Sequence, residues 1–337
     1  MRSFGAHGAP AVNLAFLGFG TVNRAVHQLL TRHRDALARE HDITFMITGV
    51  GSRSLGWRAN ADGLDPANPS GAEYRDVREW LTVARAAVVF EAIALDPHTG
   101  QPALDYLHVA LEHGAHAISA NKGPVVHGYR ELSRLAAHVG RRYLFESSVM
   151  DGAPVFSLVR ECLPLVGLRG VRGVFTSTAT IVLEAIEDGL SLRDGIARAQ
   201  ALGIAEADPS YDVDGWDSAV KLCALANVLL GGDVRPADVE RSGIQALRDD
   251  DVRRARKEGR PYRLVGDVRR DEGGVLRARV GPTRCEPGDV LGAVTGSTLV
   301  THLEADMFPG GLTITSHDPD PTTTAYGMFA DFVRVCK

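Results

Sequence analysis

From residue 12 to about residue 150, short apolar runs alternate with stretches of helical periodicity, the pattern of a parallel sheet whose strands are joined by crossover helices. The runs VNLAFLG, ITFMITGV, AAVVFEAI, AHAISA and RRYLFESS predict five strands, with helices beginning near Thr21, Asp76, Gln101 and Tyr129. Residues 54–71 are rich in Gly, Pro, Asn and Asp without periodicity, so a long loop over the sheet's ligand-binding edge is expected. Beyond Pro154 the pattern changes to a helix up to about Leu163, a strand over 167–177, helices over 180–188 and 191–202, and an Asp-rich loop. Apolar positions recur at helical spacing over 216–230, through Val220, Ala224 and Val228, which predicts a buried helix whose polar residues need a reason. Alternation over 261–280 about a turn at 271–274, with further runs near 296–303 and 311–315, predicts antiparallel strands. This second region reads as α+β, and the amphipathic stretch 322–335 as a helix packing back onto the first domain.

Composition narrows the classes. With 337 residues the chain is sized for two domains. Hydrophobic residues at 45% and charged residues at 23% describe an ordinary folded protein, and the apolar runs fall far short of the ~20 residues a bilayer span needs. No membrane partner is expected. A net charge of −5 offers no basic footprint for nucleic acid, and the arginine runs at 141–142 and 253–256 read as solvated faces. The first residues lack the apolar stretch of a signal peptide, and Cys162, Cys223, Cys285 and Cys336 lack paired spacing. A flexible tail over 1–11, structural thiols and a cytoplasmic protein are the expectations.

LAFLGFGTVNRAV sets Gly18 and Gly20 between a strand and a helix, where a tight turn aims backbone N–H groups and a helix N-terminus at a pyrophosphate. Phe19, Gly20, Thr21 and Val22 are the candidate contacts. The third small position of the G-x-G-x-x-G fingerprint is Asn23, so the motif is incomplete, and its weight comes from following the first strand of a βαβ chain. Where an NAD enzyme usually carries an acid for the ribose 2′-hydroxyl, this chain has Gly51, Ser52 and Arg53. Arg53 can pair with a 2′-phosphate, which favours NADP; as a solvent-facing loop arginine it leaves NAD possible.

Three segments resemble the homoserine dehydrogenases, and the resemblance spans nearly the whole chain. SANKGP, at 119–124, follows a strand, so Asn121 and Lys122 emerge at the carboxyl edge of a parallel sheet. FESSVMDGAP, at 145–154, is similar to the family's hinge between nucleotide and catalytic domains. ALGIAEADPSYDVDGWDSAVKL, at 201–222, is the most specific, with five acidic residues and one lysine at the family's spacing. EAIALDPHTGQPAL, which contains Ala92, resembles the stretch beside the nicotinamide, and HDPDPTTTAYGMFADFVRV the terminal segment.

The resemblance implies a Rossmann-type parallel-sheet nucleotide domain over 12–150, an inserted α+β catalytic and dimerisation domain over 151–321, and a C-terminal helix over 322–337. It also implies a homodimer and NAD(P)-linked interconversion of L-homoserine and L-aspartate 4-semialdehyde. The chain stops at Lys337, so no C-terminal regulatory domain is expected. A monovalent cation, typically sodium, is implied on backbone oxygens of Glu146, Val149, Asp151 and Ala153. The Asp151 carboxylate could strengthen that binding or cap the helix entered at Pro154.

Such chemistry needs an acid or cation near the substrate oxygen and partners for an α-ammonium and an α-carboxylate. Asp217 and Lys221 are four apart on the predicted buried helix, hence on one face. By resemblance Lys221 transfers the proton and Lys122 contacts substrate in support, a role that calls for a lysine whose pKa can fall toward neutrality. Glu206 and Asp212 are assigned by the same resemblance to the ammonium end, and Ser177 and Thr178 to the substrate loop. On charge alone Asp208 and Asp214 qualify equally, although Asp214 directly precedes the helix and reads as its cap. Residues 176–180, Thr-Ser-Thr-Ala-Thr, replace the family's Asn-Gly-Thr-Thr-Asn pattern. That departure leaves a dehydrogenase of another small amino or hydroxy acid as the enzyme alternative, and a non-catalytic nucleotide-binding sensor as the other.

Overall fold

Strand β1 (Val12–Leu17) turns Leu14 and Phe16 to one side and Ala15 and Leu17 to the other, and all four are buried, so its sheet must be covered on both faces. The computed structural model describes residues 11–337, and the tail expected over 1–11 lies, Ala11 apart, outside the described residues. Among these, no helix is long and apolar enough to cross a membrane. The chain divides into two compact units, one comprising residues up to Gly152 with Asp320–Lys337, the other Ala153–Pro319.

In the first unit β1 is followed by α1 (Thr21–Arg32), α2 (Arg34–His41), β2 (Phe45–Ser52), β3 (Gly56–Ala59), β4 (Ala72–Tyr74), α3 (Val77–Ala84) and β5 (Val88–Glu91). Then come α4 (Ala103–Glu112), β6 (His116–Ser119), α5 (Lys122–His138) and β7 (Tyr143–Leu144). The sheet order is β4-β3-β2-β1-β5-β6-β7, with β2, β1, β5, β6 and β7 parallel. This is the expected Rossmann-type arrangement. The chain leaves β1 to one side for β2 and later crosses to the other for β5, so β1 and β5 flank the switch point where such sheets take ligands. One face buries Leu14, Phe16, Val26, Leu30 and Phe90. The other buries Ala15, Leu17, Trp80, Leu81 and Val89.

Within the segment expected as a loop over 54–71, residues 56–59 instead form β3, antiparallel to β2, and β4, just beyond the segment, pairs with β3; residues 60–71 between them are irregular. Trp57 explains the difference, because its ring packs edge-on against Trp80 and Tyr106, at 5.3 and 5.1 Å, and draws the chain onto the sheet. The helix predicted from Tyr129 begins at Lys122, capped by Asn121, whose side chain accepts from Gly123 N–H. Pro124 sits in its first turn, where the missing N–H needs no partner, so Gly-Pro opens the helix. The periodicity did not predict helix α2 or, in the second unit, the helix at 249–257.

The second unit begins with α6 (Val155–Ser157), continued by a π-turn, then β8 (Leu168–Val174), α7 (Ser177–Glu187), α8 (Leu192–Ala201), α9 (Ser210–Val213) and α10 (Trp216–Leu229). After β9 (Glu240–Arg241) and α11 (Asp249–Lys257) come β10 (Tyr262–Arg270), β11 (Leu276–Arg284), β12 (Leu299–Ala305) and β13 (Phe308–Ser316). Their order is β13-β12-β8-β10-β11-β9, the α+β sheet expected. The strand predicted to Ser177 stops at Val174 and the helix predicted from Thr180 starts at Ser177, so both predicted substrate-loop residues open α7. Helix α12 (Pro321–Val335) belongs to the first unit, where Ala325, Met328 and Phe332 enter the core beside β1.

Candidate active site

Four strand ends reach the carboxyl edge of the first unit's sheet, and the turns and helix starts that follow them carry every residue predicted for the dinucleotide. After β1, Gly18 adopts φ +79°, and a Cβ there would lie 2.5 Å from the Ala92 carbonyl oxygen. Only glycine fits a left-handed turn pressed on the neighbouring strand end. Gly20 has open space where its Cβ would be, and α1 starts at Thr21, so the unpaired amides of its first turn are presented beside Phe19, Gly20, Thr21 and Val22. The Phe19 ring is buried, which leaves its backbone to face a ligand. Asn23, standing where the fingerprint expects glycine, is fully buried and donates to the carbonyls of Leu17, Gly18 and Phe90. Its amide braces the turn and ties it to β5. Ala92 follows β5 and donates its N–H to Leu17, while Arg53 is exposed on the turn after β2.

Asn121 and Lys122 follow β6, beside a carboxylate that no sequence motif singles out. Glu91, the last residue of β5, is fully buried and accepts from Ser119 Oγ at 2.5 Å, Ile93 N–H at 2.9 Å and Asn121 Nδ2 at 3.3 Å. Burial raises its carboxyl pKa, and the three hydrogen bonds oppose that shift. Held by Glu91 at one end and by Gly123 N–H at the other, the Asn121 amide fixes the peptide from which Lys122 projects. An acid closing an apolar strand, AAVVFE, was the available signal.

In the second unit, α10 is buried from Asp217 to Asn227, so two charged side chains within it must pair. Lys221 Nζ lies 2.9 Å from Asp217 Oδ2 and donates to the Phe175 carbonyl at 2.7 Å, with each charged side chain only 11% exposed. Phe175 is held in turn: a Cβ on Gly173 or Gly266 would meet its ring within 2.7 Å. Two glycines, on β8 and β10, thus seat the ring whose carbonyl orients the lysine. Thr178 Oγ1 donates to Asp212 Oδ2 at 2.7 Å, joining two more predicted residues. Glu206 stands exposed, its backbone carbonyl accepting from Gln200, and Ser177 is half-buried at the head of α7.

Neither residue considered as a helix cap is one. Asp214 does not cap α10; Gly215 occupies the cap at φ +82°, and the Asp214 carboxylate accepts from Gln245 instead. Nor does Asp151 cap the helix after Pro154, whose cap makes no side-chain bond. Asp151 faces Thr324 Oγ1 at 3.5 Å and has φ +48°. Asp208, the other acid that qualified on charge, closes a turn by accepting from Ser210 N–H. Glu146, in the same stretch as Asp151, is buried and paired with Arg334 of α12 at 3.4 Å, while its N–H donates to Asp331. Burial raises the Asp331 carboxyl pKa to about 7.

A family model described as homoserine dehydrogenase matches residues 154–333, more than half of the chain. An NAD(+)-dependent homoserine dehydrogenase of Pseudomonas canavaninivorans is 32% identical over 336 residues, covering 96% of this chain and 95% of its own. The structure of a homoserine dehydrogenase from Thiobacillus denitrificans superposes with a TM-score of 0.83 at 26% identity, over 97% of this chain and 73% of that one. A hyperthermophilic archaeal homoserine dehydrogenase mutant in complex with NADPH superposes at 0.80 with 25% identity, over 96% and 97% of the two chains. With these matches along its length, the chain belongs to the homoserine dehydrogenase family, NAD(P)-dependent oxidoreductases acting on a CH–OH group.

Proposed function

We propose that this chain interconverts L-aspartate 4-semialdehyde and L-homoserine, with Lys221 moving the proton. The observation that carries the reading is the Lys221 ammonium held at once by Asp217 and the Phe175 carbonyl. Both partners favour the protonated form and fix its direction, the state an acid needs to deliver a proton to the aldehyde oxygen O4. When bound, the nicotinamide supplies the hydride that C4 receives. Lys221 is left neutral and regains its proton from water; in the oxidative direction the neutral amine takes the hydroxyl proton instead. Asp217 orients the lysine, and Asp212, steadied by Thr178, together with Glu206 receives the substrate ammonium. To Lys122, whose peptide Glu91 and Asn121 fix, we assign a supporting contact with substrate.

The first unit's edge suits a dinucleotide, since the space over Gly20 is open and the amides at the head of α1 lack helical partners. We take Arg53 to receive a 2′-phosphate, so NADP(H) is the preferred form; the Pseudomonas relative is named for NAD(+). Initial rates with L-homoserine and a panel of amino alcohols and hydroxy acids, each at low NADP+ and low NAD+, test both halves of the proposal. Homoserine and NADP+ are expected to give the highest kcat/KM. Faster turnover of another alcohol rejects homoserine, and a strong preference for NAD+ rejects the role of Arg53.

We also assign a monovalent cation, sodium, to the backbone oxygens of Glu146, Val149, Asp151 and Ala153. In its favour, Glu146 to Met150 are buried polar backbone in a tight curl, with positive φ at Asp151 and Gly152. The Ala153 carbonyl takes Val155 N–H at 2.8 Å and keeps a second lone pair. Exchanging sodium for tetramethylammonium at constant ionic strength is expected to lower Tm, because a ligand bound only by the native state stabilises it. An unchanged Tm and unchanged rate would rule the cation out.

A further inference from the structure

Tyr211 stands on α9, beside Asp212 and six residues before Asp217. Its hydroxyl oxygen is buried, and among the described residues no protein group shares a hydrogen bond with it. Buried hydroxyls are nearly always paired, so an unpaired one asks what partner it is built to meet. Burial pushes the phenol far above its usual range, and the carboxylates of Asp217 and then Asp212 add to the shift. The group is therefore a neutral O–H, able to donate.

Neither neighbouring carboxylate takes that proton. Asp212 Oδ2 accepts from Thr178 Oγ1 at 2.7 Å, and Asp217 Oδ2 faces Lys221 Nζ at 2.9 Å. Each acid is turned to another donor while the phenol beside them is left unmatched. The acids of this cluster suit an ammonium, and an α-amino acid brings a carboxylate as well. That group needs a donor which is not itself an acid.

We propose that Tyr211 is a substrate-binding residue whose hydroxyl donates to the α-carboxylate of the amino-acid substrate. This rests on the reading of the chain as acting on homoserine. The Thr178–Asp212 contact joins α7 to α9, so Tyr211 adds a neutral donor beside the acids that contact braces.

Tyr211→Phe keeps the ring and removes the oxygen. Its expected effects are a KM for L-homoserine raised roughly tenfold, with kcat and the KM for the dinucleotide little changed, as for a lost ground-state contact. Tm is expected to hold or rise, because a hydroxyl without a protein partner is removed. The inhibition constant of 3-aminopropan-1-ol, which is homoserine without its carboxylate, is expected to be the same for both proteins. An unchanged KM for homoserine overturns the proposal, as does an equal weakening of 3-aminopropan-1-ol, which would put the hydroxyl elsewhere on the substrate. A lowered Tm with unchanged KM also overturns it, since the oxygen would then be structural. Wild-type protein that does not oxidise homoserine removes the underlying reading and this inference together, and is told apart by failing before any variant is compared.

Discussion

Lys221→Ala is expected to lower kcat about a thousandfold, the middle to upper part of the range for losing a positioned general acid, while leaving the Kd for NADPH within about twofold of wild type. The asymmetry follows from where the residue lies. Lys221 is on α10 of the second unit, and the residues we assign to the dinucleotide belong to the first. The substitution also strands Asp217 in a buried helix, and breaking a buried pair on one side costs about 3–5 kcal/mol. A fall in Tm is therefore expected as well. Lys221→Ala with Asp217→Asn removes the stranded charge, and should recover some of the Tm while recovering none of the kcat. Steady-state kinetics, NADPH fluorescence titration and thermal melts read the three effects. Turnover near wild type in Lys221→Ala would take the lysine out of the mechanism.

Gly18→Ala should damage both the fold and the cofactor site. A Cβ at φ +79° is strained in any L-residue, by about 1–2 kcal/mol, and this one would also sit 2.5 Å from the Ala92 carbonyl oxygen and 3.0 Å from the Ile93 side chain. Neither strand end can yield freely, because Ala92 N–H is bonded to Leu17 and Asn23 ties the turn to Phe90. A Tm lower by about 5–10 °C is expected, at about 2–4 °C per kcal/mol for a unit of this size, with NADPH affinity reduced at least ~10-fold, about 1.4 kcal/mol. Gly20→Ala gives the contrast. Its backbone is extended and its surroundings open, so Tm should hold while affinity falls, the added methyl occupying space over the helix N-terminus. If Gly18→Ala bound NADPH as tightly as wild type, the turn would not be the phosphate site.

How far the sequence revealed these features depends on the distance over which each is determined. The Asp217–Lys221 pair was legible because helical geometry is local: four residues apart on a helix means one face, whatever surrounds it. The strand–turn–helix at Gly18–Gly20 was legible for the same reason. Glu91 was not, because its meaning comes from Ser119 and Asn121, 28 and 30 residues away on another strand end. The carbonyl of Phe175 leaves no trace in sequence, and its alignment depends on Gly266 across the sheet. Asn23 looked like a defect in the glycine motif, yet its amide makes the hydrogen bonds that hold the turn. Asp214 fitted the cap pattern, but Gly215 took the positive φ that starts the helix and freed the carboxylate for Gln245. Trp57 overrode a loop composition by packing on Trp80 and Tyr106, a tertiary effect that local propensity does not contain.

The central claim is that one lysine in a buried helix protonates the oxygen of a four-carbon amino-acid aldehyde. The most direct measurement is NADPH consumption by the purified chain with L-aspartate 4-semialdehyde, run beside Lys221→Ala and with the product identified. One NADPH oxidised per L-homoserine formed, in wild type and not in the variant, is the predicted result. A wild-type chain that binds NADPH and NADH but oxidises neither with the semialdehyde would contradict it.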